Sequence, residues 1–259
     1  MGSEMCIRDS VSHRGLVTGM FSAANATGQL IFLPLVARAV DGPGWRYAAG
    51  AVAAFAAVMV VLVLRFLDER PSDHGLLPYG VAEGYAVEAP PVQSQENPAR
   101  VALRVLAQSS RSWTFWALML TFWVCGWSTN GLVQTHFVPA AHDHGMPATT
   151  AAGLLAVVGL FDVVGTVASG WLSDRVDARL LLWAYYGLRG LSLIALPWLW
   201  APDVQPGMWA FIIFYGLDWV ATVPPTVALC RQHFGLERSS IVFGWVFAAH
   251  MVGAGAGAS

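Results

Sequence analysis

Seven stretches of about 20 residues or more run through this chain with almost no charged side chain, and they constrain the fold more than any other feature. The hydrocarbon core of a bilayer is about 30 Å thick, so a helix needs about 20 apolar residues to cross it. The stretches are 15–40, 46–67, 113–140, 149–172, 180–200, 208–230 and 240–259. A helix closes its backbone hydrogen bonds within itself, as lipid demands of a spanning segment, and no alternating strand pattern competes. The expected fold is all-α, a polytopic transmembrane helix bundle.

Composition agrees. Hydrophobic residues make up 56% of the chain and charged residues 12%, with a mean hydropathy of +0.55, too little polarity to cover a soluble globule. A formal net charge of −2 supplies no field that would gather nucleic acid. Cys6, Cys125 and Cys230 lie far apart, without CxxC or Cys/His spacing, so neither a disulfide framework nor a metal site is indicated. The thiols read as bystanders, and no cofactor is expected. Residues 1–12 lack the apolar core of a signal peptide and read as a tag or an artefact.

The long polar interval, residues 68–112, separates two spans from five and reads as a cytoplasmic linker. Arg70, Arg100, Arg104 and Arg111 lie in it, Arg175 and Arg179 follow the fourth span, and Arg231 and Arg238 precede the seventh. One topology puts all of these on the cytoplasmic side, as the positive-inside rule requires. Arg38 and Arg46, near the first outer loop, run against it.

The most specific string follows the fourth span: Gly170-Trp171-Leu172-Ser173-Asp174-Arg175-Val176-Asp177-Ala178-Arg179. It resembles the loop signature of the major facilitator superfamily, whose members have twelve helices in two six-helix halves joined by a long cytoplasmic linker. The chain departs from the signature at Asp177, where the family usually has Gly, so a looser turn is expected there. The resemblance covers the chain from His13 onward and implies that its spans correspond to the family's fifth through eleventh helices. Residues 13–67 would then be the last two helices of the amino-terminal half, and 113–259 the carboxy-terminal half without its last helix. It further implies that Gly170, Asp174, Arg175 and Arg179 form a conformational latch, against the alternative of an ordinary positive-inside loop. In texture the chain is similar to the monocarboxylate-porter and oxalate/formate-exchanger branch.

Charges in mid-membrane cost about 2.5–3.5 kcal/mol on insertion scales and persist where they face protein or water. Asp162, Arg189 and Asp218 each sit about 15 Å along their spans at 1.5 Å per residue, so Arg189 is expected to neutralise Asp162 or Asp218. A purely structural ion pair is the alternative, because the resemblance places the helix with Arg189 toward the outside. Helical spacing joins Gly159, Asp162, Thr166 and Ser169 into one polar stripe, and Tyr215, Asp218, Thr222 and Thr226 into another. Pro224 and Pro225 interrupt the second stripe, and the carbonyls they free could coordinate a solute, or the prolines could only shape a kink. Neutral stripes run through Thr18, Ser22, Asn25 and Gln29, and through Trp123, Trp127, Asn130 and Gln134. His136 and His250 read as packing residues, and His142-Asp143-His144 as solvated turn residues.

These features point to a fragment of a secondary transporter that moves a small organic solute by alternating access. Substrate and coupling ion would meet among Asn25, Gln29, Asn130, Gln134, Asp162, Tyr215 and Asp218, with Arg189 as the nearby cation. Protonation of an aspartate is the favoured coupling, since membrane proton relays are built from such acids. Carboxylates are the favoured solutes, by the resemblance and by Arg189. The expected partners are membrane lipid, a small molecule and H+, without nucleic acid, in a parent that is monomeric and sits in a bacterial inner membrane. The rival readings are a complete seven-helix receptor and a membrane-embedded enzyme.

Overall fold

The computed structural model describes Met20, residues 44–66 and residues 97–259. The first expected span (apart from Met20), with Thr18, Ser22, Asn25 and Gln29, lies outside the described residues, as does most of the linker. All described regular structure is helical. In chain order the helices are α1 (Trp45–Phe66), α2 (Pro98–Ser109), α3 (Trp113–Gly126), a π-helical segment (Trp127–Val133), α4 (Gln134–Asp143), α5 (Ala148–Ser173), α6 (Ala178–Ala195), α7 (Pro206–Asp218), α8 (Val223–Phe234) and α9 (Leu236–Ala258).

Among the described residues, five rods are long and apolar enough to cross a membrane: Trp45–Phe66, Thr149–Ser173, Ala178–Trp198, Pro206–Phe234 and Leu236–Ala258. A sixth is assembled from α3, the π-helical segment and α4, whose junctions all keep helical dihedral angles. Its ladder widens where hydroxyls compete for carbonyls. Ser128 and Thr129 both donate to Cys125 O, at 3.1 and 2.7 Å, and the Tyr215 hydroxyl donates to Ser128 O at 3.0 Å. Tryptophans crowd the rod ends, with Trp45, Trp113 and Trp198 exposed, as in the aromatic belts of membrane interfaces.

Within the polar interval, residues 98–109 form a helix. Asn97 caps it by accepting from Ala99 N at 3.0 Å, Pro98 occupies its first turn, and Trp245 Nε1 of α9 donates to Ala102 O at 3.2 Å.

The carboxy-terminal rods pair closely, α9 along α3 and the π-helical segment, and α5 along α7. Small residues make this possible. A Cβ added at Gly126 or Gly253 would overlap the backbone of His250 or Trp123, and one at Gly165 would overlap that of Leu217. α8 then packs against α9, α5 and α6.

Burial is layered along the rods. One apolar cluster, with Phe115, Phe122, Leu182, Leu229 and Val246, occupies the Arg-rich end. A second, with Phe137, Leu154, Met208, Phe211 and Ile212, occupies the opposite end. Between them lie the buried polar residues Thr129, Asp162, Thr166, Arg189, Asp218 and Thr222.

Candidate substrate and coupling site

Both polar stripes turn inward. Asp162, Thr166 and Ser169 of α5 are buried, as are Tyr215 and Asp218 of α7, Thr222, and Thr226 of α8. Arg189 of α6 reaches them from the third side and is only 2% exposed. The helix expected toward the outside therefore turns its one mid-span cation into the bundle, because an unpaired guanidinium facing lipid would be far costlier.

Arg189 Nε donates to Asp218 Oδ2 at 2.5 Å, an ion pair whose side chains are 2% and 6% exposed. The equal-depth pairing expected from sequence thus forms with Asp218. Arg189 Nη1 donates to Cys125 Sγ at 2.9 Å, so Cys125 is no bystander. The thiol also lies 3.5 Å from Thr222 Oγ1. Cys125 precedes Ser128 and Thr129 at helical spacing, which was the only hint that it shares their inward face.

Asp162 is held differently. Its Oδ1 accepts from two neutral donors, Thr166 Oγ1 at 2.8 Å and Val220 N at 3.0 Å. Both acids therefore bear on the gap between α7 and α8, where Trp219–Thr222 leave the helix as turns. Pro224 and Pro225 stand in the first turn of α8, where missing N–H groups cost least. The span read as 208–230 is two helices.

The backbone carbonyls exposed by that break are met by side chains, as the alternative of prolines that only shape a kink allows. Arg189 Nη2 donates to Asp218 O at 2.5 Å and to Trp219 O at 3.2 Å. Ser169 Oγ donates to Ala221 O at 2.5 Å, and Thr226 Oγ1 to Thr222 O at 2.7 Å. Side chains from α5, α6 and α8 thus take up the orphaned groups, since leaving any unpaired in lipid is costly.

The structure brings Asp162, Arg189, Tyr215 and Asp218 together but not the amides. Asn130 is half-buried in the π-helical segment, where its Oδ1 accepts from its neighbour Thr129, and Gln134 is exposed. Asn25 and Gln29 lie outside the described residues. His136 Nε2 donates to Gly257 O at 3.1 Å, while His250 lies between the rings of Phe122 and Phe247 at 5.3 and 5.4 Å. His142, Asp143 and His144 are exposed.

At the Arg-rich end, Gly170 is buried and Asp174 caps α5. Arg175 folds back on its own helix, 4.1 Å over the Trp171 ring with Nη1 donating to Trp171 O at 3.1 Å. Arg179 crosses to α8, its Nη2 donating to His233 Nε2 at 3.0 Å. The turn is not loosened by Asp177. That carboxylate is the N-cap of α6, accepting from Arg179 N at 2.8 Å at a φ of −58° that needs no glycine.

Residues 6–258 match the family described as Major Facilitator Superfamily. Among curated relatives, the uncharacterized MFS-type transporter YcxA of Bacillus subtilis (strain 168) is 27% identical over 244 residues, covering 93% of this chain and 55% of that protein. Monocarboxylate transporter 12-B of Danio rerio is 26% identical over 258 residues, covering 92% and 52%. Monocarboxylate transporter 13 of Bos taurus is 35% identical over 133 residues, covering 47% and 30%. The chain spans about half the length of the first two of these relatives. The chain belongs to the Major Facilitator Superfamily, and its long apolar helices are part of the membrane-embedded bundle of that family.

Proposed function

We propose that this chain is the middle and carboxy-terminal part of a secondary transporter that moves a small organic solute by alternating access, coupled to protons. Residues 13–67 would supply the last two helices of the first half, 68–112 the cytoplasmic linker, and 113–259 the second half without its last helix. The observation that carries this reading is the buried polar layer, in which two acids and one cation sit mid-span between two apolar clusters. Such a layer is costly in lipid and is kept where a pathway needs it.

Within the layer the two acids take different roles. Asp218 is neutralised by Arg189, whereas Asp162 is held through Oδ1 by a hydroxyl and an amide, neither of them charged. Asp162 is therefore the acid whose charge changes during the cycle, and Arg189 with Asp218 forms the framework beside it. Monocarboxylates are the favoured solute class, supported by the relatives named for them and by a buried guanidinium in the layer. The family points away from an enzyme and from a seven-helix receptor. A monomeric parent in a bacterial inner membrane completes the reading, supported for location by the Bacillus relative.

The test is uptake of radiolabelled short monocarboxylates by the full-length parent in vesicles with an imposed proton gradient. Asp162→Asn is expected to abolish gradient-driven accumulation while leaving insertion intact, and Asp218→Asn to impair it. Accumulation by both variants equal to the parent's at every pH would remove the polar layer from the mechanism.

A further inference from the structure

Cys125 sits at one of the tightest crossings inside the packed carboxy-terminal rods. A Cβ added at its neighbour Gly126 would fall on the His250 carbonyl, so α3 and α9 touch backbone to backbone there. The thiol is 2% exposed, lies 2.9 Å from Arg189 Nη1 and 3.5 Å from Thr222 Oγ1, and faces the His250 imidazole across the crossing. His250 is itself only 8% exposed, its ring held against Phe122 and Phe247. Its Nδ1 is buried without a hydrogen bond.

The donors and acceptors around the sulfur can be counted. Arg189 can only donate, so Sγ accepts from it and the S–H proton must go elsewhere. Thr222 Oγ1 and the imidazole are the two takers. If the proton pointed at Thr222, Nδ1 would stay a buried acceptor with nothing to accept, which is costly. With the Thr222 hydroxyl donating to Sγ and the thiol donating to Nδ1, each of these groups is served, and the ring hydrogen sits on Nε2. A thiol that hands its proton on to the imidazole leaves a thiolate, with a guanidinium already bonded to the sulfur. That same guanidinium holds Asp218 through Nε, so one positive charge faces two anion sites.

The surroundings focus this contest on Arg189. Tyr186 of α6, Tyr215 and Asp218 of α7 and Asp162 of α5 all stand within its field. α8 brings Thr222 at its start, with Cys230, Arg231 and His233 about two turns or more further on. The π-helical segment brings Ser128 and Thr129, and α2 bonds α9 at Trp245, more than a turn from His250.

We propose that Cys125 and His250 form a proton-transfer pair that controls the Arg189–Asp218 ion pair. The S–H bond breaks, its proton bonds to Nδ1, and the thiolate left behind competes with Asp218 for the guanidinium. The inference rests on the transporter reading above and adds to it a step that loosens the framework beside Asp162.

Infrared difference spectra of the full-length parent in vesicles against Cys125→Ser isolate the S–H stretch of Cys125. It should lie at lower frequency than that of a free thiol. His250→Phe, which keeps a ring against Phe122 and Phe247 but has no nitrogen, should return it to the free position, and Thr222→Val should leave it lowered. A free-thiol band in the parent, or one that moves with Thr222→Val and not with His250→Phe, would overturn the proposal. Transport gives a second readout. His250→Phe should slow proton-driven uptake about a hundredfold, the scale of a positioned proton acceptor, and should slow exchange of labelled for unlabelled solute far less, because exchange needs no proton to leave. Cys125→Ser carries the same expectation should His250→Phe fail to insert, and circular dichroism checks both. Equal loss in the two modes, or loss in neither, counts against the pair. Uptake lost in Asp162→Asn but kept in His250→Phe strikes the pair alone. A parent that accumulates no solute strikes the transporter reading, and the infrared comparison then decides the pair by itself.

Discussion

Arg189 shows how much one side chain can organise when its neighbours cannot turn to water. Its guanidinium serves a carboxylate, a thiol and two carbonyls at once, a set that a planar five-donor fork can reach and a lysine ammonium cannot. Removing one partner of a buried pair leaves the other charge stranded, so Arg189→Leu is expected to destabilise the bundle by about 3–5 kcal/mol. Arg189→Lys should recover little of this, while Arg189→Leu combined with Asp218→Leu should recover most of it. Reversible unfolding in SDS measures all three, and an additive double variant would show that the pair is not coupled. Asp162, Arg189 and Asp218 were legible in the sequence because a charge in a 20-residue apolar run stands out and its depth can be counted. The choice of Asp218 over Asp162 was not legible, since it depends on which faces of α5, α6 and α7 meet. Cys125 was missed for a related reason: a thiol looks like any small apolar residue until a donor is placed against it.

Hydropathy locates rods well because lipid enforces one rule along their whole length, but it is silent on where a rod changes its winding. The π-helical segment and the Trp219–Thr222 break both fall inside runs that read as single spans. Hydroxyls competing for carbonyls produce the first and two consecutive prolines the second, and neither lowers mean hydropathy enough to show. α2 was hidden in the opposite way, as an amphipathic helix inside an interval whose average is polar, although Asn97-Pro98 is a readable cap. The close pairs of rods give a sharper test of packing. Gly165→Leu forces a side chain into the Leu217 backbone and should cost about 1–3 kcal/mol or more. Gly255→Leu, on the same helix as Gly253 but facing open space, should be tolerated. Equal loss from both substitutions, again in SDS unfolding, would mean that helix propensity rather than close approach governs these positions.

At the scale of the whole molecule, the described carboxy-terminal rods form one packed unit, while α1 exposes nearly its entire apolar surface. Alternating access needs two units that rock about a shared site, and on the proposed reading this chain carries two helices of one half and five of the other, so neither half is whole. Vesicles containing only this 259-residue chain are therefore expected not to accumulate solute, whereas those containing the full-length parent should. Accumulation by the shorter chain would refute the two-half reading. The stitched break between α7 and α8 bears on the tempo of any such motion. Its unpaired backbone groups are divided among side chains from separate helices, so no contact can slip without leaving a buried polar group unpaired. Half-straightened geometries should therefore be sparsely populated, and the kink should flip between two settings like a toggle rather than flex like a spring.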